Sequence, residues 1–121
     1  MKIILTGALG YIGSEALHRF SLRPDITVYA VDNDRYALQE RGAYFIRYPN
    51  ITLINCDVTK ADQVNLLPSA DLIVHLAAVV GYLNCNKNPE LTYKTNVIGT
   101  ENISRLNIPR SEEHTSELQS H

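Results

Sequence analysis

Tryptophan is absent from this chain of 121 residues, methionine occurs once, and cysteine and phenylalanine occur twice each. Two cysteines, Cys56 and Cys85, with no ligand-like spacing, exclude a disulfide framework and a zinc centre as organising elements, and no other metal site is expected. Charge of either sign is in little excess: eleven Lys and Arg stand against thirteen Asp and Glu, a formal net charge of −2. Without a basic patch, neither nucleic acid nor an anionic membrane surface is an expected partner. No apolar run approaches the roughly 20 residues that span a bilayer. The first apolar strand begins almost at the N-terminus, which leaves no room for a signal peptide, so a cytoplasmic location is the default expectation. Glycine is also scarce, yet three of the six glycines lie between positions 7 and 13.

That cluster carries chemistry. Ile3-Ile4-Leu5 runs into Thr6-Gly7-Ala8-Leu9-Gly10-Tyr11-Ile12-Gly13. A short apolar strand, a glycine-rich turn and a helix present free backbone N–H groups, at the positive end of a helix dipole, to a pyrophosphate. The spacing is G-x-x-G-x-x-G, and a glycine trio alone also fits a plain strand-to-helix turn. A second apolar run, residues 26–31, ends in Asp32, 19 residues beyond Gly13. An acid at that distance is placed to hydrogen-bond an adenosine ribose and to repel a 2′-phosphate, which favours NAD over NADP. A solvated turn residue or a helix cap is the plainer role for the same carboxylate.

The rest of the pattern alternates strands and helices. Strands are expected at 2–6, 26–31, 51–55 and 71–76. Helices are expected over 11–21, with Ile12, Ala16, Leu17 and Phe20 on one face, and from Asp34 to about Arg41, stopped by Gly42. Residues 43–50 form a loop whose Tyr44, Phe45 and Tyr48 cover the sheet edge. A weak helix over 60–67 is capped by Thr59 and closed by Pro68. A last helix, capped by Asn88 with Pro89 and Glu90 in its first turn, runs to about Leu106. Four successive βα units specify an α/β, Rossmann-like, doubly wound parallel sheet of strand order 3-2-1-4, truncated, with the cofactor crevice between strands one and four. Residues 1–109 form this incomplete dinucleotide-binding domain and 110–121 a polar tail. Residues 110–120 resemble the in-frame translation of a common sequencing-library adapter, so the tail is expected to be non-native, its His114 and His121 included. Without it the charges balance, ten of each sign.

With Val31-Asp32-Asn33, Cys56-Asp57-Val58, His75-Leu76-Ala77-Ala78 and Asn96-Val97-Ile98-Gly99-Thr100 in order behind the glycine turn, residues 1 to about 109 resemble the N-terminal half of the extended short-chain dehydrogenase/reductases, the NAD-dependent sugar-nucleotide epimerase/dehydratase group. The resemblance implies that Gly7, Gly10, Tyr11, Ile12 and Gly13 hold the pyrophosphate of NAD, and Asp32 and Asn33 the adenosine ribose. It implies that Asp57 and Val58 contact adenine, though a polar strand end followed by a core valine describes the pair equally. Leu76, Ala77, Ala78 and Val80 would line the wall near the nicotinamide-side ribose, small residues that suit tight packing just as well. Asn96 would be the family's helix asparagine near the cofactor. His75 invites a catalytic role, but at the end of a buried strand a satisfied core histidine is the expectation. Tyr82 lies where the family places substrate-side residues, with packing an equal alternative, and Cys85 is a spectator.

The family's catalytic Tyr-x-x-x-Lys pair is missing. None of the tyrosines at 11, 29, 36, 44, 48, 82 and 93 has a lysine four residues on. No catalytic residue is therefore assigned. The resemblance implies a parent enzyme that acts on a nucleotide sugar or similar substrate by transient hydride transfer, with a homodimer as one arrangement. The chain itself is expected to be inactive and to bind NAD weakly or not at all. The alternative class is a non-catalytic dinucleotide-binding sensor module.

Overall fold

The computed structural model describes residues 1–77 and 89–106. Ala78, Val80, Tyr82, Cys85, the expected cap Asn88 and the tail from residue 107 onward lie outside the described residues. The element order is β1 (Lys2–Thr6), α1 (Tyr11–Ser21), β2 (Thr27–Asp32), α2 (Arg35–Glu40), α3 (Gly42–Phe45), β3 (Ile51–Asn55), α4 (Ala61–Val64) and β4 (Leu72–His75). A final helix follows in three parts: α5 (Pro89–Tyr93), a π-helical stretch (Lys94–Gly99) and α6 (Thr100–Ser104).

The four strands form one sheet in the order β3-β2-β1-β4, every pair parallel. β1 lies between β2 and β4 and reads as an unbroken apolar run because both of its faces are covered. Ile3 and Leu5 pack with Leu17 of α1 and with Val28, Ala30 and Phe45 on one side. Ile4 packs with Val31, Val58, Val64, Ile73 and Ile103 on the other. The register pairs Thr6 with both Val31 and His75, so the C-terminal ends of three strands meet where β1 enters the glycine turn. In an open parallel sheet this end is the ligand end.

Several local expectations give way to the structure. Gly42 does not end the second helical region; it opens α3, and its neighbour Phe45 is core rather than loop. Tyr44 is partly exposed beneath the Arg47 guanidinium, 4.2 Å from the ring centroid, rather than covering the sheet edge. Ile12 is 69 % exposed, and the buried face of α1 runs instead through Gly13, Leu17 and Ser21. Thr59 does not cap α4: its hydroxyl donates to Asp57 Oδ1 at 2.7 Å, and the helix starts after Lys60 without a side-chain cap. The N-cap position falls on Lys60, one residue beyond Thr59, so the hydroxyl turns back to the carboxylate instead. The last helix is not regular, since six of its residues wind with π geometry.

Candidate functional site

Three glycines shape the turn after β1, and they do so differently. Gly7 has φ +63°, and a Cβ there would lie 2.7 Å from the Leu76 carbonyl carbon of the neighbouring strand end. A Cβ on Gly13 would stand 2.0 Å from the Gly7 carbonyl oxygen. These two glycines are demanded by the fold itself. Gly10 is exposed, adopts an ordinary φ of −73°, and a Cβ there would meet only the Gly7 oxygen, at 3.3 Å. Packing therefore constrains position 10 far less than positions 7 and 13.

Gly10 is also the N-cap of α1, and no side chain caps that end. The first N–H groups of any helix lack intrahelical acceptors. Here Tyr11, 95 % exposed, and Ile12 lie in the open first turn, so the backbone donors face outward at the positive pole of an 11-residue helix. The arrangement can accept an anion.

Asp32, at the end of β2, fastens the turn. Its Oδ2 accepts from the Leu9 N–H at 2.9 Å, and its Oδ1 accepts from the Asp34 N–H at 3.0 Å. Asp34 in turn caps α2, its Oδ1 accepting from the Ala37 N–H at 3.1 Å. Hydrogen bonds to a charged acceptor contribute about 1.5–3 kcal/mol each. Because Asp32 is half-buried, Asp32→Ala is expected to cost about 1–2 kcal/mol. A lowered urea midpoint at unchanged m-value checks it; an unchanged midpoint contradicts it.

Around the same strand ends a small cavity of about 50 Å³ is lined by Gly7, Asp32, Asn33, Asp57, Val58 and Ala77, with Val31, Cys56 and Thr95. Six of the residues singled out by the sequence thus converge from four separate segments. Asp57 Oδ1 takes the Thr59 N–H as well as its hydroxyl, which holds the loop after β3 in a fixed turn. Val58 serves two surfaces at once, since it is buried in the core and its carbonyl accepts from Asn102 Nδ2 at 2.9 Å. Cys56 is buried, and burial first, then the charges of Asp57 and Asp62, push its thiol up to about 11. It stays protonated and inert at neutral pH.

Leu76 and Ala77 are held by Thr6, which is wholly buried. Its Oγ1 accepts from both of their N–H groups, at 3.0 and 3.1 Å. Having accepted twice, the hydroxyl donates its proton to His75 Nδ1, 2.6 Å away. Nε2 then carries the imidazole proton and donates to Thr100 Oγ1 at 3.0 Å, and Thr100 donates to the Asn96 carbonyl at 2.8 Å. The chain of donors is complete with a neutral imidazole. Burial lowers the His75 pKa to about 4. The core-histidine expectation holds, and the ring links β1 and β4 to the helix that carries Asn96.

Asn96 itself lies half-buried in the π-helical stretch, one residue after Thr95 of the small cavity. Sequence reasoning missed Thr95, Val31 and Cys56 as lining residues, although each adjoins a residue it had selected. Leu76, 36 % exposed, does not line the small cavity. Among the described residues no group of His, Cys, Asp and Glu could hold a metal ion, and no helix is long and apolar enough to cross a membrane.

Known proteins resemble the chain in sequence and fold. The chain is 34 % identical over 106 residues to UDP-glucuronic acid decarboxylase 2 of Arabidopsis thaliana, covering 88 % of this chain and 23 % of that protein. It is 34 % identical over 105 residues to dTDP-glucose 4,6-dehydratase of Mycobacterium tuberculosis, covering 85 % of this chain and 31 % of the relative. Among solved structures, Pal from Bacillus thuringiensis superposes with a TM-score of 0.76 at 29 % identity, over 86 % of this chain and 34 % of Pal. The UDP-Glc/GlcNAc 4-epimerase of Campylobacter jejuni superposes with a TM-score of 0.69 at 27 % identity, over 85 % of this chain and 32 % of the epimerase. The chain therefore spans 23–34 % of the length of these proteins. Residues 3–107 match the profile of the NAD dependent epimerase/dehydratase family, and the chain belongs to that family.

Proposed function

We propose that this chain is the NAD-binding portion of an epimerase or dehydratase that acts on a nucleotide sugar. The observation that carries the reading is Gly10: the least constrained of the three turn glycines, at the uncapped N-terminus of α1, where the first N–H groups can receive an anion. Gly7, Gly10, Tyr11, Ile12 and Gly13 form the pyrophosphate cradle. Asp32 and Asn33 take the adenosine ribose, Asp57 and Val58 the adenine, and Leu76, Ala77, Ala78, Val80 and Asn96 the nicotinamide side. When bound, NAD supplies reversible acceptance of a hydride from a secondary alcohol.

The residues present hold and orient. Asp32 keeps the turn closed through Leu9 and lines the small cavity, and Thr6 with His75 fixes the backbone of Leu76 and Ala77. None of the chain's tyrosines has a lysine four residues on, so the proposed role is binding without turnover. Three of the proteins compared above carry a nucleotide sugar in their names, UDP-glucuronic acid, dTDP-glucose and UDP-Glc/GlcNAc, which supports that substrate class for the longer protein.

An NMR titration of the 121-residue chain with NAD tests the reading. The expected result is a weak complex, Kd on the order of 10⁻⁴ M or above, or about −5.5 kcal/mol or less favourable. The amides of residues 9–14 and 32–33 should move most. A flat titration to millimolar NAD refutes cofactor binding by this chain, and low-micromolar affinity refutes its weakness.

A further inference from the structure

Beside the glycine turn lies a second, larger cavity of about 540 Å³, lined by Tyr11, Ile12, Ser14, Glu15 and Arg41. Arg41 follows α2 in sequence yet reaches across to the turn, where its Nη1 donates to the Leu9 carbonyl oxygen. That bond uses one of the guanidinium N–H donors, and Arg41 lines the cavity together with Tyr11 and Ile12 of the first turn of α1. Glu15, the anionic residue of the lining, is engaged by Arg19 at 3.4 Å. Ser14 also lines the cavity, and its Oγ, itself buried, has no hydrogen-bond partner among the described residues.

We infer that Arg41 is a phosphate ligand, supplying the side-chain cation that completes the backbone cradle for the pyrophosphate of a dinucleotide. The inference rests on the NAD-binding reading above and adds to it a residue outside the glycine turn. The chemistry fits. A guanidinium offers several coplanar donors that match phosphate oxygens, and it carries its charge at any physiological pH. Backbone N–H groups supply only partial charge at a helix end, whereas a pyrophosphate carries two full negative charges. Tethering one Nη to Leu9 fixes the head group before the ligand arrives, so little side-chain freedom is lost on binding.

Arg41→Gln and Arg41→Lys, in the full 121-residue chain, separate this role from a structural one. NMR titrations use NAD, ADP-ribose and, as a phosphate-free control, adenosine. The expected result is a loss of about tenfold for NAD and ADP-ribose in Arg41→Gln, with adenosine-induced shifts unchanged. Arg41→Lys should recover part of the loss, and salt should weaken NAD binding less in Arg41→Gln than in the wild type. Unchanged NAD affinity in Arg41→Gln overturns the assignment, as does an equal loss for adenosine, which marks a collapsed turn. If the wild-type chain responds to neither NAD nor ADP-ribose, the NAD-binding reading itself has failed.

Discussion

Gly13→Ala should unfold the protein or come close to it, while Gly10→Ala should leave its stability nearly intact and weaken cofactor binding at least tenfold. The two substitutions are chemically identical and lie three residues apart. At position 13 the new methyl would stand 2.0 Å from the Gly7 carbonyl oxygen and 2.9 Å from the backbone of Ala8. All of these are main-chain atoms of the turn, fixed by the paired strands behind them, so no rotamer change relieves the clash. Separating them costs more than about 3 kcal/mol, a large share of the stability of any small domain. At position 10 the methyl meets one oxygen at 3.3 Å, and the backbone is already in a region alanine favours. A shift of a few tenths of an ångström suffices, and the entropy alanine removes from the unfolded chain offsets much of the strain. The same methyl is added at the N-cap of α1, where the anion is proposed to bind. A loss of NAD affinity of at least tenfold, or about 1.4 kcal/mol, is expected. Urea melts and NMR titrations on the two variants decide the matter. If Gly10→Ala binds NAD like the wild type, the cradle lies elsewhere; if both variants melt together, Gly10 is a structural glycine.

That contrast marks what one sequence can and cannot reveal. The strands were legible because a strand covered on both faces must be continuously apolar, and Ile3-Ile4-Leu5 and Leu72-Ile73-Val74 have no other environment that suits them. The convergence of Asp32, Asp57 and Ala77 on one cavity was legible too, because a parallel sheet brings every strand's C-terminal end to one side. Other features depended on partners distant in sequence. Phe45 looked like a loop aromatic, and only the packing of Ile51 and Leu9 around it makes it core. Thr59 had the residue type of a helix cap, but the helix starts one residue too late for it, after Lys60. The π-helical stretch over Lys94–Gly99 leaves no mark on a hydrophobic pattern six residues long. Arg41 shows the same limit at the site. Nothing in an arginine before Gly42 announces that its head group returns to the Leu9 carbonyl.

His75 makes the fold sensitive to acid over a defined range. In the folded chain the ring binds its second proton only near pH 4, because burial disfavours the charged form. The hydrogen bonds point the same way: a protonated Nδ1 would have to donate to a Thr6 hydroxyl that already accepts from Leu76 and Ala77, and would leave the threonine's own proton without an acceptor. In the unfolded chain the same imidazole titrates near its ordinary value of 6.5. Between those two values the unfolded state holds more protons, so stability falls as pH drops from about 6.5 to about 4 and is flat above that window. At 1.36 kcal/mol per pKa unit the loss from this one group is about 3 kcal/mol. Carboxylates also titrate toward the acid end, so the informative quantity is the difference between the wild type and His75→Gln. That variant should be less stable at pH 7.5 by about 2 kcal/mol or more, since it breaks the link between Thr6 and Thr100. The gap should then narrow progressively toward pH 4, because glutamine has no proton to gain. Urea unfolding at half-unit intervals from pH 7.5 to 4 measures it. A gap that stays constant across the window would mean that His75 titrates alike in both states, and the neutral, doubly bonded imidazole would not be what joins β1, β4 and the helix of Asn96.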